Sequence, residues 1–150
     1  MATRKITKTG APSPSRSLVD KLDLFAIGLD SLSANLDRSN YASAFAEEKK
    51  RIKRSIESAY KVTDYSSEHF DVTATLSLRI DAAGFEDPIL AVNIAISGHF
   101  HPKKPLSRED VEGFADAEAR LIFWPYFRQI VSDTTGRMHI GTITLPLVVR

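Results

Sequence analysis

The 150-residue chain has no cysteine, one tryptophan, and only seven glycines and seven prolines. Without cysteine it can form no disulfide bond and no thiolate zinc site, and it has no cysteine nucleophile, so redox chemistry does not fix its compartment. No run approaches the roughly 20 apolar residues of a membrane span, and the N-terminus lacks the apolar core of a secretory signal. These absences predict a soluble protein that stays in the cytosol.

The charge is almost balanced, with 20 lysines and arginines against 19 aspartates and glutamates, but it is unevenly distributed. Residues 1–19 carry four basic residues and no acidic one, which leaves the remainder of the chain with a net charge of −3. A mildly acidic body argues against nucleic acid as the main partner, because phosphate binding draws on a clustered basic face. A chain of this length is expected to fold around one core.

Residues 1–16 are rich in lysine, arginine, serine, threonine, proline and glycine, and Ile6 is their only large aliphatic residue. Such a segment buries too little apolar surface to fold, so we predict a disordered basic arm followed by a single domain over residues 17–150. A solvated tail explains the charges of this arm without a binding partner.

Strict alternation of apolar and polar residues predicts two strands in the middle of the chain, Phe70 to Asp81 and Ile89 to His101. The connecting residues 82–88 contain a glycine and a proline, which are typical of a turn. We therefore expect an antiparallel pair with one buried face and one solvated face.

Weaker patterns place the elements before this pair. Apolar residues after Ser17 fit both a helix and a strand, and we assign a short helix over 18–24 and a strand over 26–36. Good helix formers predict a helix over 41–58, and a strand is expected over 59–65. The basic run within 49–54 is typical of a nucleic-acid or targeting patch, but a solvated helix face explains it as well.

The most apolar and aromatic stretch is Glu118 to Val149. Apolar residues recur there at the three-and-four spacing of one buried helical face. We predict a short helix that starts near Ser107, then a longer helix to about Gly136 that is broken or kinked near Pro125. An extended tail follows from Ile140.

Residues that would support catalysis are scarce. The sequence has no G-x-S-x-G elbow, no phosphate-binding glycine loop and no H-E-x-x-H pair. His99 and His101 share one face of a predicted strand and suit a metal ion, but no third ligand lies near them in sequence. We predict no catalytic residue, no metal and no cofactor, and a metal enzyme built on this histidine pair is the third alternative.

What remains is an excess of aromatic residues, with Phe114, Phe123, Trp124, Tyr126 and Phe127 all within fourteen residues. Phe123 and Phe127 fit the core. Trp124 and Tyr126 point away from that pair, because each helical step turns by about 100°. We place these two at a subunit contact or a groove, where amphipathic aromatic side chains are common.

The run Phe-Trp-Pro-Tyr-Phe-Arg over 123–128 resembles the Leu-Phe-Pro-Tyr-Ala-Arg segment of the SecB family of protein-export chaperones. Ile130 and Val131 then fall on the apolar helix positions of that family. The tail over 140–148 resembles its extended Leu-x-Leu-x-Pro-Val ending, with the proline shifted to Pro146. The strand that ends Ser-Gly-His-Phe at 97–100 is similar to the family's Gly-Ile-Phe.

This resemblance covers about residues 70–149 and implies an α+β fold, in which about four antiparallel strands carry helices on one face. It also implies a dimer or tetramer with apolar grooves for unfolded clients, without ATP or a cofactor. On this basis we expect client contacts at Phe100, Trp124, Tyr126, Leu145 and Leu147. We expect oligomer contacts at Trp124, Tyr126, Ile130 and Val131.

Two hypotheses follow from the resemblance. The first is an ATP-independent holdase that binds unfolded or partly folded polypeptides, with protein export as one use. The second is a SecB-like interaction protein dedicated to one partner, such as an antitoxin. The sequence ends at Arg150, before the helix and tail that follow the Pro-Val segment in export chaperones, which brings SecB-like proteins outside export into consideration.

Overall fold

A computed structural model describes residues 18–46 and 51–147, and the predicted arm lies outside them. Four strands form one antiparallel sheet in the order β1-β4-β3-β2. They span β1 Leu22–Leu36, β2 Ile52–Tyr65, β3 Phe70–Ala82 and β4 Leu90–Pro102. Because β1 and β2 are opposite edges, the chain crosses one end of the sheet between them, and helix α1 (Arg38–Ala46) belongs to this crossing.

The central strands β3 and β4 bury every second side chain, as the alternation predicts. Their register pairs Phe70 with Phe100 and Ile80 with Leu90, so the apolar residues of both strands share one face. The other face carries threonine, serine, asparagine and charged side chains that are partly or fully exposed. The predicted strand pair and the single buried face are confirmed.

Two consecutive helices, α2 (Arg108–Ala117) and α3 (Ala119–Arg137), cover the buried face, which confirms the predicted α+β class. Helix α2 starts as expected, because the Ser107 hydroxyl accepts a hydrogen bond from the Asp110 amide at 3.1 Å. Its Phe114 packs edge-on against both Phe70 and Phe100, with ring centroids 5.8 and 5.4 Å away. This aromatic cluster joins the first helix to the two central strands.

The predicted short helix followed by a longer one is confirmed, but the longer helix is not broken at Pro125. The helices part at Glu118, and α3 runs without interruption through Pro125. A proline at this position leaves the Leu121 carbonyl without its usual donor. Pro125 and Leu121 both lie on the exposed side of α3, where water can hydrogen-bond to that carbonyl. The proline therefore costs less here than it would on the buried face.

The predicted helix over 41–58 is correct only at its start. Helix α1 ends at Ala46, residues 47–50 lie outside the described part, and 52–65 form β2. Helix propensity is a weak preference, and here pairing with β3 overrides it: Ile56, Tyr60 and Val62 pair with inward-facing residues of that strand. The described basic residues Lys53 and Arg54 are thus exposed strand residues and not part of a helix face.

At the start of the domain, the predicted helix over 18–24 is a four-residue 3-10 helix, Leu18–Lys21, and β1 begins at Leu22. The carboxylate of Glu118 accepts hydrogen bonds from the amides of Leu18 and Val19 at 2.9 and 3.2 Å. The junction between α2 and α3 thereby fixes the point where the chain enters the sheet.

Candidate functional site

Several side chains that the sequence assigns to contacts with other chains are buried within the single chain. Phe100 and Val131 are 0% exposed, Leu145 is 2% exposed and Trp124 is 5% exposed. These four side chains pack in the core of the single chain and are not part of its accessible surface in this structure. The predicted residues that reach the surface are Tyr126 and Leu147, with Ile130 half-buried.

Helix α3 carries three stripes along its length. The central one is Phe123, Phe127 and Val131, all fully buried against the sheet. Steps of about 100° per residue place Tyr126 and Ile130 on one flank of this stripe and Trp124, Arg128 and Thr135 on the other. The two flanks face different parts of the molecule, and we treat them as two surfaces.

The flank with Trp124 holds the C-terminal tail, residues 140–147. Trp124 Nε1 donates a hydrogen bond to the Pro146 carbonyl at 2.7 Å, and Arg128 Nε donates to the Leu145 carbonyl at 3.0 Å. The aromatic and basic residues of the sequence motif thus bind the chain's own backbone. The sequence did not predict this, because the spacing within α3 gives no information about where the tail returns.

The other flank forms a groove with β1, which we name the β1–α3 groove. Two cavities of about 430 and 160 Å³ lie in it, and both are lined by Leu29 and Ile130. The remaining lining residues are Ile27, Gly28, Leu32, Ile96, Tyr126, Asp133, Thr134, Arg137 and Met138. Because the two cavities share residues, they make one elongated, largely apolar depression.

The strand beside this groove is an edge of the sheet. β1 pairs with β4 on one side, and its other side has no strand partner among residues 18–46 and 51–147. Leu24, Leu29 and Leu32 are 41%, 51% and 42% exposed and lie on the helix-covered face of the sheet, opposite buried residues of β4. The opposite edge, β2, differs in that it exposes charged side chains at Lys53, Arg54, Glu57, Lys61 and Asp64. The two charged residues of β1, Asp23 and Asp30, lie beside His101 and Ser97 of the polar face, so the groove side of β1 is apolar. An edge strand with an apolar side is a ready surface for another chain.

Two irregularities explain why the sequence pattern of β1 was ambiguous. The register with β4 shifts between Leu24 and Ala26 and again between Leu29 and Ser31. Each shift inserts one extra residue into β1. At these two points, successive apolar residues on the groove side are therefore three positions apart in sequence, although the period of a regular strand is two. A spacing of three also suits a helix, which is how a strand came to resemble one.

The polar face of the sheet brings three histidines together. The rings of His99 and His101 lie 4.9 Å apart, and His69 lies 5.3 Å from His99 and 6.3 Å from His101. His99 Nδ1 donates a hydrogen bond to Asp71. The third imidazole comes from the turn between β2 and β3, which the sequence could not place. Even so, in the described part of the chain no three histidine, aspartate or glutamate side chains are arranged to hold a metal ion.

Among the helices within residues 18–46 and 51–147, none combines sufficient length with sufficient apolar character to cross a bilayer.

No protein-family model and no curated protein matches the sequence. Among solved structures, the SecB-like chaperone Rv1957 of Mycobacterium tuberculosis, in complex with a ChAD peptide from the Rv1956 HigA1 antitoxin, aligns with a TM-score of 0.69 and 20% identity. The alignment covers 87% of this chain and 93% of that chain. A protein of unknown function from Streptococcus agalactiae aligns with a TM-score of 0.48 and 11% identity, over 84% and 97% of the two chains. The likeness to Rv1957 shows that the fold is SecB-like.

Proposed function

We propose that this protein is a SecB-like holdase chaperone that binds unfolded or partly folded polypeptides in the cytosol without ATP. The observation that carries the proposal is the β1–α3 groove, an apolar depression that runs beside an open edge strand. A chaperone needs a surface that accepts many sequences, and apolar contacts combined with backbone hydrogen bonds supply such a surface.

The geometry suggests how a client is held. An extended polypeptide laid along β1 can pair its backbone with the free edge of that strand. Alternate side chains of the client then point into the groove toward Leu29, Leu32 and Ile130. Asp133 and Arg137 also line the groove, so a charged client residue can find a partner of either sign. Each contact is weak, which favours reversible binding.

The same surface supports self-association into a dimer or tetramer. The exposed leucines of β1 and the exposed Tyr126 form an apolar strip that a second copy of the chain can cover. Assembly would either reduce the length of the groove that is accessible to clients or extend the groove across two copies. In either case the contacts predicted at Tyr126 and Ile130 fall on this strip.

A pair of substitutions on α3 tests the proposal. Ile130→Glu places a charge where both cavities meet, and Leu121→Glu places one at a side chain that is 61% exposed and lines neither cavity. We expect the wild type and Leu121→Glu to suppress the aggregation of a slowly refolding protein, and Ile130→Glu to do so much less. No suppression by the assembled wild type at several-fold excess would count decisively against a holdase.

The second candidate is an interaction protein dedicated to one partner. It is favoured by the complex of Rv1957, a protein of the same fold, with a peptide from an antitoxin. Purification from the native host separates the two candidates, because a holdase carries many polypeptides and a dedicated protein carries one at a fixed ratio. Secretory precursors among the co-purified chains would extend the first candidate to protein export.

A further inference from the structure

The flank of α3 that carries Trp124, Arg128 and Thr135 binds polypeptide backbone at three points. Besides the hydrogen bonds from Trp124 and Arg128 to the tail carbonyls, the Thr135 hydroxyl accepts one from the Ile143 amide at 2.8 Å. Trp124, Arg128 and Thr135 are four and seven residues apart, which aligns them along one side of a helix. All three bind main-chain atoms of the tail, so none of these hydrogen bonds depends on the tail's side chains.

The tail fills this surface as an extended peptide would. Ile143 and Leu145, two residues apart, are 6% and 2% exposed, while Thr144 between them and Leu147 beyond them are exposed. Insertion of every second side chain is how extended segments are recognised. Backbone hydrogen bonds together with two aliphatic anchors make a site that is selective for spacing and tolerant of the remaining sequence.

The tail contributes no helix or strand to the fold, because residues 140–147 have no regular secondary structure. The chain reverses after α3 through positive φ angles of 58° at His139 and 86° at Gly141, so the tail runs back along the helix from a tight turn. Departure of the tail would expose the buried Ile143 and Leu145 but would break no strand pairing of the sheet.

We propose that this flank of α3 is a second polypeptide-binding site and that the tail is its internal competitor. The site takes extended segments with two large aliphatic residues two positions apart. When a client with this pattern displaces the tail, the client gains a site on the opposite side of α3 from the β1–α3 groove. This inference rests on the proposed function for its biological meaning, but the site itself can be tested without it.

The only tryptophan of the chain, Trp124, hydrogen-bonds to the tail and therefore reports on its departure. In the full chain, Ile143→Ser with Leu145→Ser removes both anchors and leaves the backbone in place. We expect the fluorescence of this double variant to shift to longer wavelength. A synthetic peptide of residues 140–147 should reverse the shift, and the same peptide with both serine substitutions should not.

Client affinity provides the second measurement. A site that is closed most of the time has an apparent affinity reduced by the fraction that is open. A permanently unfolded, fluorescently labelled protein should therefore bind the double variant about tenfold more tightly than the wild type. The 140–147 peptide should compete for part of this binding.

Failure of this inference can be told apart from failure of the proposed function. Equal client binding by wild type and double variant, with no effect of the peptide, overturns the internal competitor and leaves the holdase standing. If the peptide restores the Trp124 fluorescence but neither protein binds the client, the second site is supported and the holdase function is rejected. If the double variant does not fold, Leu145→Ala weakens one anchor of the tail and leaves the residues of the site on α3 unchanged; unchanged client affinity in that variant also overturns the inference.

Discussion

Gly98 lies directly beneath the ring of Phe123: a Cβ atom at Gly98 would stand 2.8 Å from Cζ of Phe123 and 3.0 Å from Cε2 of Phe100. Both rings are fully buried and cannot move aside easily. The glycine in the Ser-Gly-His-Phe strand end therefore lets α3 approach β4 closely. The resemblance in sequence at this point has a steric cause in the structure.

The first prediction concerns this contact. Gly98→Ala should lower the free energy of unfolding by about 1–3 kcal/mol, because the added methyl group overpacks a filled site. Gly113→Ala is the control, since nothing lies within 4 Å of the added atom and the position is inside α2. That control should gain about 0.5–1 kcal/mol from helix propensity. Urea unfolding of both variants is the measurement, and equal stability would contradict the steric explanation.

The second prediction concerns the open edge. Leu32→Lys adds a charge to β1, where burial of a leucine against a second copy would contribute about 1.5–3 kcal/mol. We expect self-association to weaken by at least about tenfold. Ile52→Lys makes the same change on β2, at a side chain that is 37% exposed beside existing charges, and should leave assembly unchanged. Mass measurement over a concentration series decides, and assembly lost only in the β2 variant would assign the interface to the other edge.

The third prediction is a pH dependence. Burial raises the pKa of Tyr60 above its usual 10.0 and outweighs the lowering by Ser58 and Arg120. The Tyr60 hydroxyl is buried, and no described atom, Ser58 included, meets hydrogen-bond geometry with it. Above pH 10 the unfolded chain loses the phenolic proton of Tyr60, while the folded protein still holds it. The stability that protonated Tyr60 contributes is therefore present below pH 10 and is lost as pH rises through the folded pKa. Tyr60→Phe should flatten this loss, measured by urea unfolding between pH 8 and about 11.

The same variant has a second expected effect at neutral pH. Removal of a buried hydroxyl that lacks a partner relieves a desolvation cost, so Tyr60→Phe should gain about 1 kcal/mol of stability at pH 7. A loss of stability there would show that the hydroxyl has a partner in solution. Burial also raises the pKa of Tyr41, so some alkaline destabilisation should persist in the variant.

The fourth prediction concerns the hydrogen bonds between Glu118 and the first described residues of the chain, Leu18 and Val19. Glu118→Ala removes the acceptor of the Leu18 and Val19 amides and should cost about 1.5–3 kcal/mol, the range for hydrogen bonds to a charged group. Hydrogen exchange at these two amides should accelerate by more than exchange in β3. Uniform acceleration across the sheet would mean that the change is global and not confined to the entry.

The sequence predicted elements where one physical rule acts alone. Strict alternation located β3 and β4, because both strands bury one full face against the helices. The predicted strands over 26–36 and 59–65 lie within β1 and β2, but both observed strands start earlier. The first part of β2 was predicted as helix because local helix propensity opposes the pairing with β3, and the pattern of β1 was ambiguous because two register shifts mimic a helical spacing.

The candidate site was predictable only in part for a related reason. The exposed position of Tyr126 follows from helix geometry, whereas Ile130 was expected at a contact from the family resemblance, and both line the β1–α3 groove. Trp124 was assigned to another chain because its true partner, the Pro146 carbonyl, lies 22 residues away on a returning tail. The groove itself needs Leu29 and Leu32, which are far from α3 in sequence and reach it only through the sheet.

The difference between the two edges of the sheet limits how many copies of the chain can assemble by strand addition. A sheet with two open edges can add subunits in both directions and propagate into a fibre. Here the exposed charges along β2 disfavour the addition of a strand, whereas β1 presents exposed leucines on its groove side. Two copies that met through β1 would therefore form a symmetric pair with no further apolar edge, and a client would then bind in the groove without pairing to β1. For a protein with the proposed holdase function, such a limit would prevent the chain itself from becoming a template for aggregation.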